Sequence, residues 1–236
     1  MATKLDELKW KQYLKKRKKL YIYGAKNGLI HGYEQELIEN LRNVYYGGIP
    51  ASILLLCKRA CNGYCYDRAL LICHGFEDDE FKVVDADIDG IALNPIIIDE
   101  YNKAIENGNS WNHYANHCFV ERTKKDGTTW VYDTSIGLVF EKNLYYQIQN
   151  PIITKTNDKQ ATLDYFEYQD IKNADIEKDK YAIPLILPNI EAAAEYDDDL
   201  YSQALKEEIE RFKKEINYDA IVKEIEEDMK RKKFIF

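Results

Sequence analysis

The chain has 236 residues, of which 45% are hydrophobic and 13% aromatic, and this composition excludes a largely disordered protein. Its 33 Lys and Arg residues against 41 Asp and Glu residues give a net charge of −8, which argues against a dedicated nucleic-acid-binding protein. The five cysteines are odd in number and unevenly spread, unlike a disulfide framework, so we expect free thiols in a reducing compartment.

The N-terminal segment lacks the apolar stretch of a signal peptide. The apolar run Ile53 to Cys57 is far too short to span a bilayer. We therefore expect a cytoplasmic protein that binds neither membrane nor nucleic acid. A protein exported by a signal-independent route would have the same pattern.

Helices are predicted along the N-terminal third of the chain. A capping box at Thr3 and Asp6 opens a first helix that ends near Lys19, where the basic run from Lys15 forms a solvated C-terminus. Residues 20–23 then read as a short extended segment ended by Gly24. The later helices are expected over Tyr33–Tyr46 (stopped by Gly47 and Gly48), from Pro50 with residues 53–56 facing inward, and from Cys65 to Cys73.

Beyond Gly75 the hydrophobic period changes to that of strands. We predict strands at residues 81–84, 117–122, 129–133 and 137–140, with a further one at 181–187. Asp126-Gly127 is a strong hairpin signal between the second and third of these. The order of helices and strands indicates an α+β fold.

The segment from about Asp199 is predicted to be helical. Its apolar residues form two stripes, and Asn217-Tyr218-Asp219 shifts the register between them, so we expect two helices or one kinked helix. These helices either pack on the domain or bind a protein partner. The simplest division is a domain over residues 1–190 and a helical extension over residues 191–236.

Calcium binding was considered for Asp85-Ala-Asp87-Ile-Asp89-Gly90, which matches the opening of an EF-hand loop. The twelfth position is Ile96, where a bidentate Glu is needed, and Pro95 precedes it. Half a loop supplies too few oxygen ligands. We therefore interpret the segment as an acidic turn after the strand.

Zinc is a second candidate, because Cys57, Cys61 and Cys65 are four residues apart, as are His113 and His117. In one continuous helix this spacing would align the side chains. Structural zinc sites instead use two tight pairs of ligands, and Asn62-Gly63 breaks the helical face. We expect no metal cofactor, and Cys57 and Cys73 are interpreted as buried core thiols.

A thiol nucleophile is the third candidate. It needs a thiolate, a base and a group that orients the base. Cys65 follows the Asn62-Gly63 break and opens a helix, where the dipole and the free backbone N–H groups favour an anion. His117 begins a strand, and Phe119 and Glu121 lie on the same face of that strand as His117.

Asp133 ends the strand expected to pair with that of His117. The hairpin brings the two residues together at the ends away from the turn, with a bulge or loose loop taking up the unequal strand lengths.

Three motifs resemble the transglutaminase-like branch of the papain-like cysteine enzymes: G-x-C opening a helix, H-x-aromatic-V-E on a strand, and W-x-x-D on the next strand. They correspond to residues 63–65, 117–121 and 130–133, in the order Cys, His, Asp. The resemblance implies that Cys65 is the nucleophile, His117 the base and general acid, and Asp133 the orienting group. It also implies a helix bearing the nucleophile, packed on an antiparallel sheet.

Three positions depart from the family pattern. Phe119 replaces the usual tryptophan, Thr134 stands where proline is common, and Arg59 occupies the place of the papain glutamine. The oxyanion donor is therefore assigned to the Cys65 backbone N–H, with Asn62 or Tyr64 as the second donor.

The sequence predicts acyl transfer on peptide or carboxamide bonds through a thioester, with hydrolysis by a protease or deamidase favoured over transglutamination. The substrate is a peptide or protein, and no cofactor is required. The alternative is a non-enzymatic, zinc-stabilised protein-interaction module whose acidic C-terminal helices bind a partner.

Overall fold

The structure is a computed structural model that describes residues 7–46, 48–57, 65–76, 80–89, 103, 106–107, 114–162, 182–196 and 201–231. Its contacts divide the chain into two compact units. The first comprises Met1–Tyr33 and Asp78–Thr162, and the second Glu34–Glu77 and Leu163–Phe236. The domain boundary near residue 190 stays a prediction.

The helices and strands alternate irregularly along the chain. The helices are α1 (Glu7–Lys26), α2 (Gln35–Asn40), α3 (Ala51–Leu56), α4 (Cys65–His74), α5 (Lys142–Gln149), α6 (Ile183–Tyr196), α7 (Ser202–Glu215) and α8 (Tyr218–Arg231), with a 3-10 turn at Leu41–Asn43. The strands are β1 (Ile30–His31), β2 (Tyr45–Tyr46), β3 (Ile49–Pro50), β4 (Glu80–Asp89), β5 (Tyr114–Thr123), β6 (Thr129–Asp133), β7 (Leu138–Glu141) and β8 (Ile152–Asp158). None of the helices in these ranges is long and apolar enough to cross a membrane.

The first unit is built on a six-stranded antiparallel sheet with strand order β1-β7-β6-β5-β4-β8. The α+β class is thereby confirmed. The predicted hairpin between β5 and β6 is also confirmed. Gly127 turns the chain with a φ of 83°, and Asp126 accepts hydrogen bonds from the backbone N–H and the hydroxyl of Thr128. This turn fixes the register of the two strands.

One face of the sheet is covered by α1 and α5. Its buried cluster contains Val84, Ala86, Ile88, Phe119, Val131, Phe140, Leu144, Tyr145 and Ile148. Arg17 of α1 ties the two helices together, because its guanidinium donates to the Ile148 carbonyl (3.1 Å) and to the Gln149 side chain (2.9 Å). The sheet and the helices thus enclose one core.

Helix α1 corrects the sequence prediction at its C-terminal end. The helix continues through residues 20–23, which were expected to be extended, and ends at Lys26. Leu20 and Tyr21 pack against the buried cluster, and this packing supports the longer helix. Gly24 allows close packing, because a Cβ there would lie 2.5 Å from the Leu144 side chain. The capping box at residues 3–6 lies outside the described residues.

The basic run was expected to be a solvated helix terminus. It lies within α1, and only its four lysines are exposed, whereas Arg17 is 6% exposed.

Strand β4 is longer than predicted and corrects both interpretations of the acidic segment. It runs to Asp89 and pairs with β5 along its whole length and with β8 over most of it. Asp85 and Asp87 are therefore strand residues, which form neither a calcium loop nor an acidic turn. Pairing on both sides stabilises the extended conformation despite the low strand propensity of aspartate.

In the second unit, the helix predicted over residues 33–46 is shorter. Helix α2 and the 3-10 turn end at Asn43, and Tyr45–Tyr46 pairs with Ile49–Pro50. Gly48, with a φ of 78°, turns the chain in this short hairpin, so it marks a turn between strands rather than a helix stop. Helix α4 begins at Cys65 and ends at His74, next to Gly75, as predicted, whereas α3 ends at Leu56, earlier than the predicted break at Asn62-Gly63.

The strand expected at residues 181–187 was wrong, because residues 183–187 belong to helix α6. Ile183, Leu187, Ile190 and Ala194 are buried at helical spacing, a pattern that becomes visible only beyond the apolar run.

The two C-terminal helices are confirmed as α7 and α8, separated at Asn217 with a φ of 53°. The apolar stripe of α7 is buried at Leu205, Ile209 and Phe212, whereas no residue of α8 is buried.

Candidate active site

His117 and Asp133 lie on neighbouring strands of the first unit and face the same side of the sheet. Asp133 is directly opposite Phe119 in the β5–β6 register, so it lies diagonally from His117. The Nε2 atom of His117 is 3.3 Å from Oδ1 of Asp133. The predicted meeting of these side chains is thus present, but it is diagonal. The paired stretch of β5 and β6 contains no bulge, so of the two expected ways to take up the unequal strand lengths only the loop remains.

Asp133 is fully buried and held by several hydrogen bonds. Its Oδ1 accepts from the backbone N–H groups of Ser135 (2.9 Å) and Ile136 (3.2 Å). Its Oδ2 accepts from the Tyr145 hydroxyl at 2.9 Å. The carboxylate therefore has a fixed orientation toward His117.

These contacts keep Asp133 ionised. Burial by itself raises the pKa of Asp133, but the attraction of His117 and the hydrogen bonds from Tyr145 and Ile136 outweigh burial, so the pKa lies below its ordinary value. Burial and the Asp133 charge together hold the pKa of Tyr145 well above its ordinary value. Tyr145 consequently remains a hydrogen-bond donor over the working range of pH.

The other ring nitrogen of His117, Nδ1, lies 3.2 Å from the hydroxyl of Ser135. Ser135 is exposed, whereas His117 is only 3% exposed. Neither Ser135 nor Tyr145 was predicted from the sequence. The signal for Ser135 was the Asp-Thr-Ser sequence, in which an Asp side chain binds the backbone two residues on and so brings the serine back toward the strand end.

Glu121 forms a second buried carboxylate site on the same face of β5. Its Oε1 accepts from the Tyr146 hydroxyl (2.7 Å), and its Oε2 accepts from the Lys142 ammonium (2.8 Å). Burial and the hydrogen bond to Glu121 raise the pKa of Tyr146. Glu121 was predicted on this face from the sequence, but its partners were not.

In the second unit, Cys65 is the first residue of α4, as predicted. It is partly exposed, whereas Cys57, Cys73 and Cys118 are buried. Burial of Cys57 and Cys73 confirms their interpretation as core thiols. The N-terminus of a ten-residue helix favours the thiolate form of a cysteine placed there.

Some of the remaining predicted metal ligands and oxyanion donors lie outside the described residues. Asn62 and Tyr64, the oxyanion candidates, lie outside the described residues, as do Cys61 and His113. Helix α3 ends at Leu56 and Cys65 opens α4, so Cys57 and Cys65 do not share one helix face. Within the described ranges no group of three His, Cys, Asp or Glu side chains has the arrangement of a metal site.

Comparisons with known proteins found no match among protein-family models, curated proteins or solved structures.

Proposed function

We propose that the chain is a cysteine-nucleophile acyl-transfer enzyme of the transglutaminase-like and papain-like class, acting on peptide or carboxamide bonds. In this proposal Cys65 is the nucleophile, His117 the base and general acid, and Asp133 the group that orients His117. The favoured outcome is hydrolysis, by a protease or deamidase. The enzyme works in the cytoplasm, where its thiols stay reduced.

The observation that carries the proposal is the buried pair of His117 and Asp133. An ionised carboxylate beside Nε2 favours the tautomer with the proton on Nε2, which leaves Nδ1 as the basic nitrogen. The hydrogen bonds from Tyr145 and two backbone amides keep the carboxylate from rotating away. A purely structural histidine does not require this arrangement.

The exposure of the thiols supports Cys65 as the nucleophile. Among the cysteines of the described segments it is the only one that is not buried, and it has the helix-start position that stabilises a thiolate. Cys73 lies near the opposite end of the same helix, where the dipole disfavours an anion.

The proposed reaction has two halves. In the first, the Cys65 thiolate attacks the carbonyl carbon, and the imidazolium of His117 gives its proton to the departing amine, so that the C–N bond breaks and a thioester remains. In the second half, His117 takes a proton from water. The resulting hydroxide attacks the thioester, and the C–S bond breaks to release the acid and regenerate the thiolate.

The test is alkylation of the native protein by iodoacetamide near pH 6, with the modified residue identified by mass spectrometry. A thiol with an ordinary pKa of about 8.5 is less than about 1% ionised at that pH. A thiolate at Cys65 therefore predicts labelling roughly a hundredfold faster than that of the other cysteines. His117→Ala should remove most of this advantage.

Matched controls are available in both units. Cys73→Ala removes a thiol from the same helix and should leave the rate at Cys65 unchanged. His31→Ala removes another histidine of the first unit and should also have no effect. Equal labelling of all cysteines, or a fast rate at Cys65 that survives in His117→Ala, would overturn the proposal.

A further inference from the structure

The hydroxyl of Ser135 lies within hydrogen-bond distance of Nδ1 of His117, the proposed base. The negative charge of Asp133, whose Oδ1 lies 3.3 Å from Nε2, favours the tautomer of neutral His117 that carries its proton on Nε2. Nδ1 then carries a lone pair, so in the 3.2 Å contact the Ser135 hydroxyl donates and Nδ1 accepts. A serine hydroxyl that donates to a histidine oriented by a carboxylate has the geometry of an activated nucleophile.

We propose that Ser135 is a second nucleophile, which His117 and Asp133 activate toward activated carboxylic esters. Ser135 is an exposed residue, so an ester can approach it without unfolding of the sheet. The three groups that take part, Ser135, His117 and Asp133, all belong to the first unit. The inference shares His117 and Asp133 with the proposed function but does not involve Cys65.

The local turn restricts which acyl donors react. The backbone N–H groups of Ser135 and Ile136 donate to the Asp133 carboxylate, and that of Gly137 donates to the Asp133 carbonyl (2.9 Å). These amides are therefore engaged and do not stabilise an oxyanion. Stabilisation of the oxyanion usually supplies a large part of acyl-transfer catalysis. Substrates with good leaving groups, such as aryl esters, need this stabilisation least.

The ester is cleaved in two steps, acylation of Ser135 and hydrolysis of the acyl-serine. The Ser135 oxygen bonds to the ester carbonyl carbon as its proton moves to Nδ1 of His117. The bond from carbon to the aryl oxygen breaks, and the departing aryl oxide takes that proton. Water then attacks the acyl-serine, gives a proton to His117, and displaces the Ser135 oxygen, which recovers its proton as the carboxylic acid leaves.

The experiment uses a fluorophosphonate probe and an aryl acetate with full-length protein. In Cys65→Ala, the probe is expected to modify Ser135, as located by mass spectrometry, and the aryl acetate is hydrolysed with an acyl-serine burst. Ser135→Ala should lose both. His117→Ala and Asp133→Asn should each slow modification at least tenfold. Ser202→Ala, in α7 of the second unit, is the matched serine control and should leave both unchanged.

The outcomes separate the two proposals. Modification of Ser135 in Cys65→Ala that depends on His117 supports the inference, whatever the iodoacetamide result. If Cys65 alkylates rapidly but Ser135 stays unmodified, the inference is wrong and the proposed function stands. Modification of Ser135 at an unchanged rate in both His117→Ala and Asp133→Asn would also overturn the inference, since the hydroxyl would then react without the base. Because Ser135 is exposed, its alanine variant is expected to fold.

Discussion

Two buried carboxylates lie on one face of the same sheet, and each is bound by a tyrosine of α5 and by one basic side chain. Asp133 has Tyr145 and His117, whereas Glu121 has Tyr146 and Lys142. The basic partners differ in chemistry and in exposure. His117 is 3% exposed, while the side chain of Lys142 is 39% exposed.

The two pairs differ in the chemistry that their basic partners allow. The ammonium group of Lys142 donates to Oε2 of Glu121 and neutralises a buried carboxylate. An imidazole has an ordinary pKa near neutral pH, so a histidine beside Asp133 suits the role of base proposed for His117. Asp133 also accepts two backbone N–H groups, which fix its direction. Burial of a carboxylate therefore indicates no chemistry until its partner is known.

The largest effect is expected for Asp133→Asn, which removes the charge but retains the size. The loss of charge-assisted hydrogen bonds should lower the free energy of unfolding by about 2 kcal/mol at neutral pH. The pKa of Asp133 is lowered by folding, so its ionisation stabilises the fold above the unfolded-state pKa, and this stabilisation is lost as pH falls through the folded-state pKa. Urea unfolding of variant and wild type should therefore converge in acid. A difference that stays constant down to strongly acidic pH would contradict the lowered pKa.

The diagonal meeting of His117 and Asp133 was largely predictable, because it depends on local features. Alternation along a strand assigns residues to faces, and the Asp126-Gly127 turn sets the register. The start of α4 at Cys65 was predictable for a similar reason, since a break followed by helical spacing is a local signal. The observed register adds one detail to the prediction. Asp133 is directly opposite Phe119 and reaches His117 diagonally.

Tyr145 was not predictable, because its role depends on where α5 packs on the sheet. The same limit explains the errors in β4 and α1. Two neighbouring strands hold the acidic end of β4 extended, and the buried cluster supports residues 20–23 as helix, so tertiary contacts outweighed local propensity in both places. In α6 the apolar run at residues 183–187 is too short to distinguish strand from helix.

A smaller effect separates the two tyrosines. Tyr145→Phe should cost about 1 kcal/mol and raise the pKa of Asp133, because it removes a donor to the ionised carboxylate. Tyr146→Phe, the matched control on the same helix, should cost a similar amount and leave the pKa of Asp133 unchanged. The measurement is an NMR titration of the Asp133 side-chain carboxyl carbon in the three proteins. An equal change in both variants would mean that the two carboxylates are coupled rather than separate.

The smallest effect is expected for Glu121→Gln, which tests whether the second carboxylate is only a structural pair. The glutamine oxygen still accepts from Tyr146, and Lys142 can turn toward solvent because its side chain is 39% exposed. The free energy of unfolding should therefore fall by less than about 1 kcal/mol. Part of this loss should disappear in about 1 M salt, since salt screens an exposed charge, whereas the loss in Asp133→Asn should persist because that pair is buried. If both losses responded equally to salt, the exposure of the basic partner would not be what distinguishes the two sites.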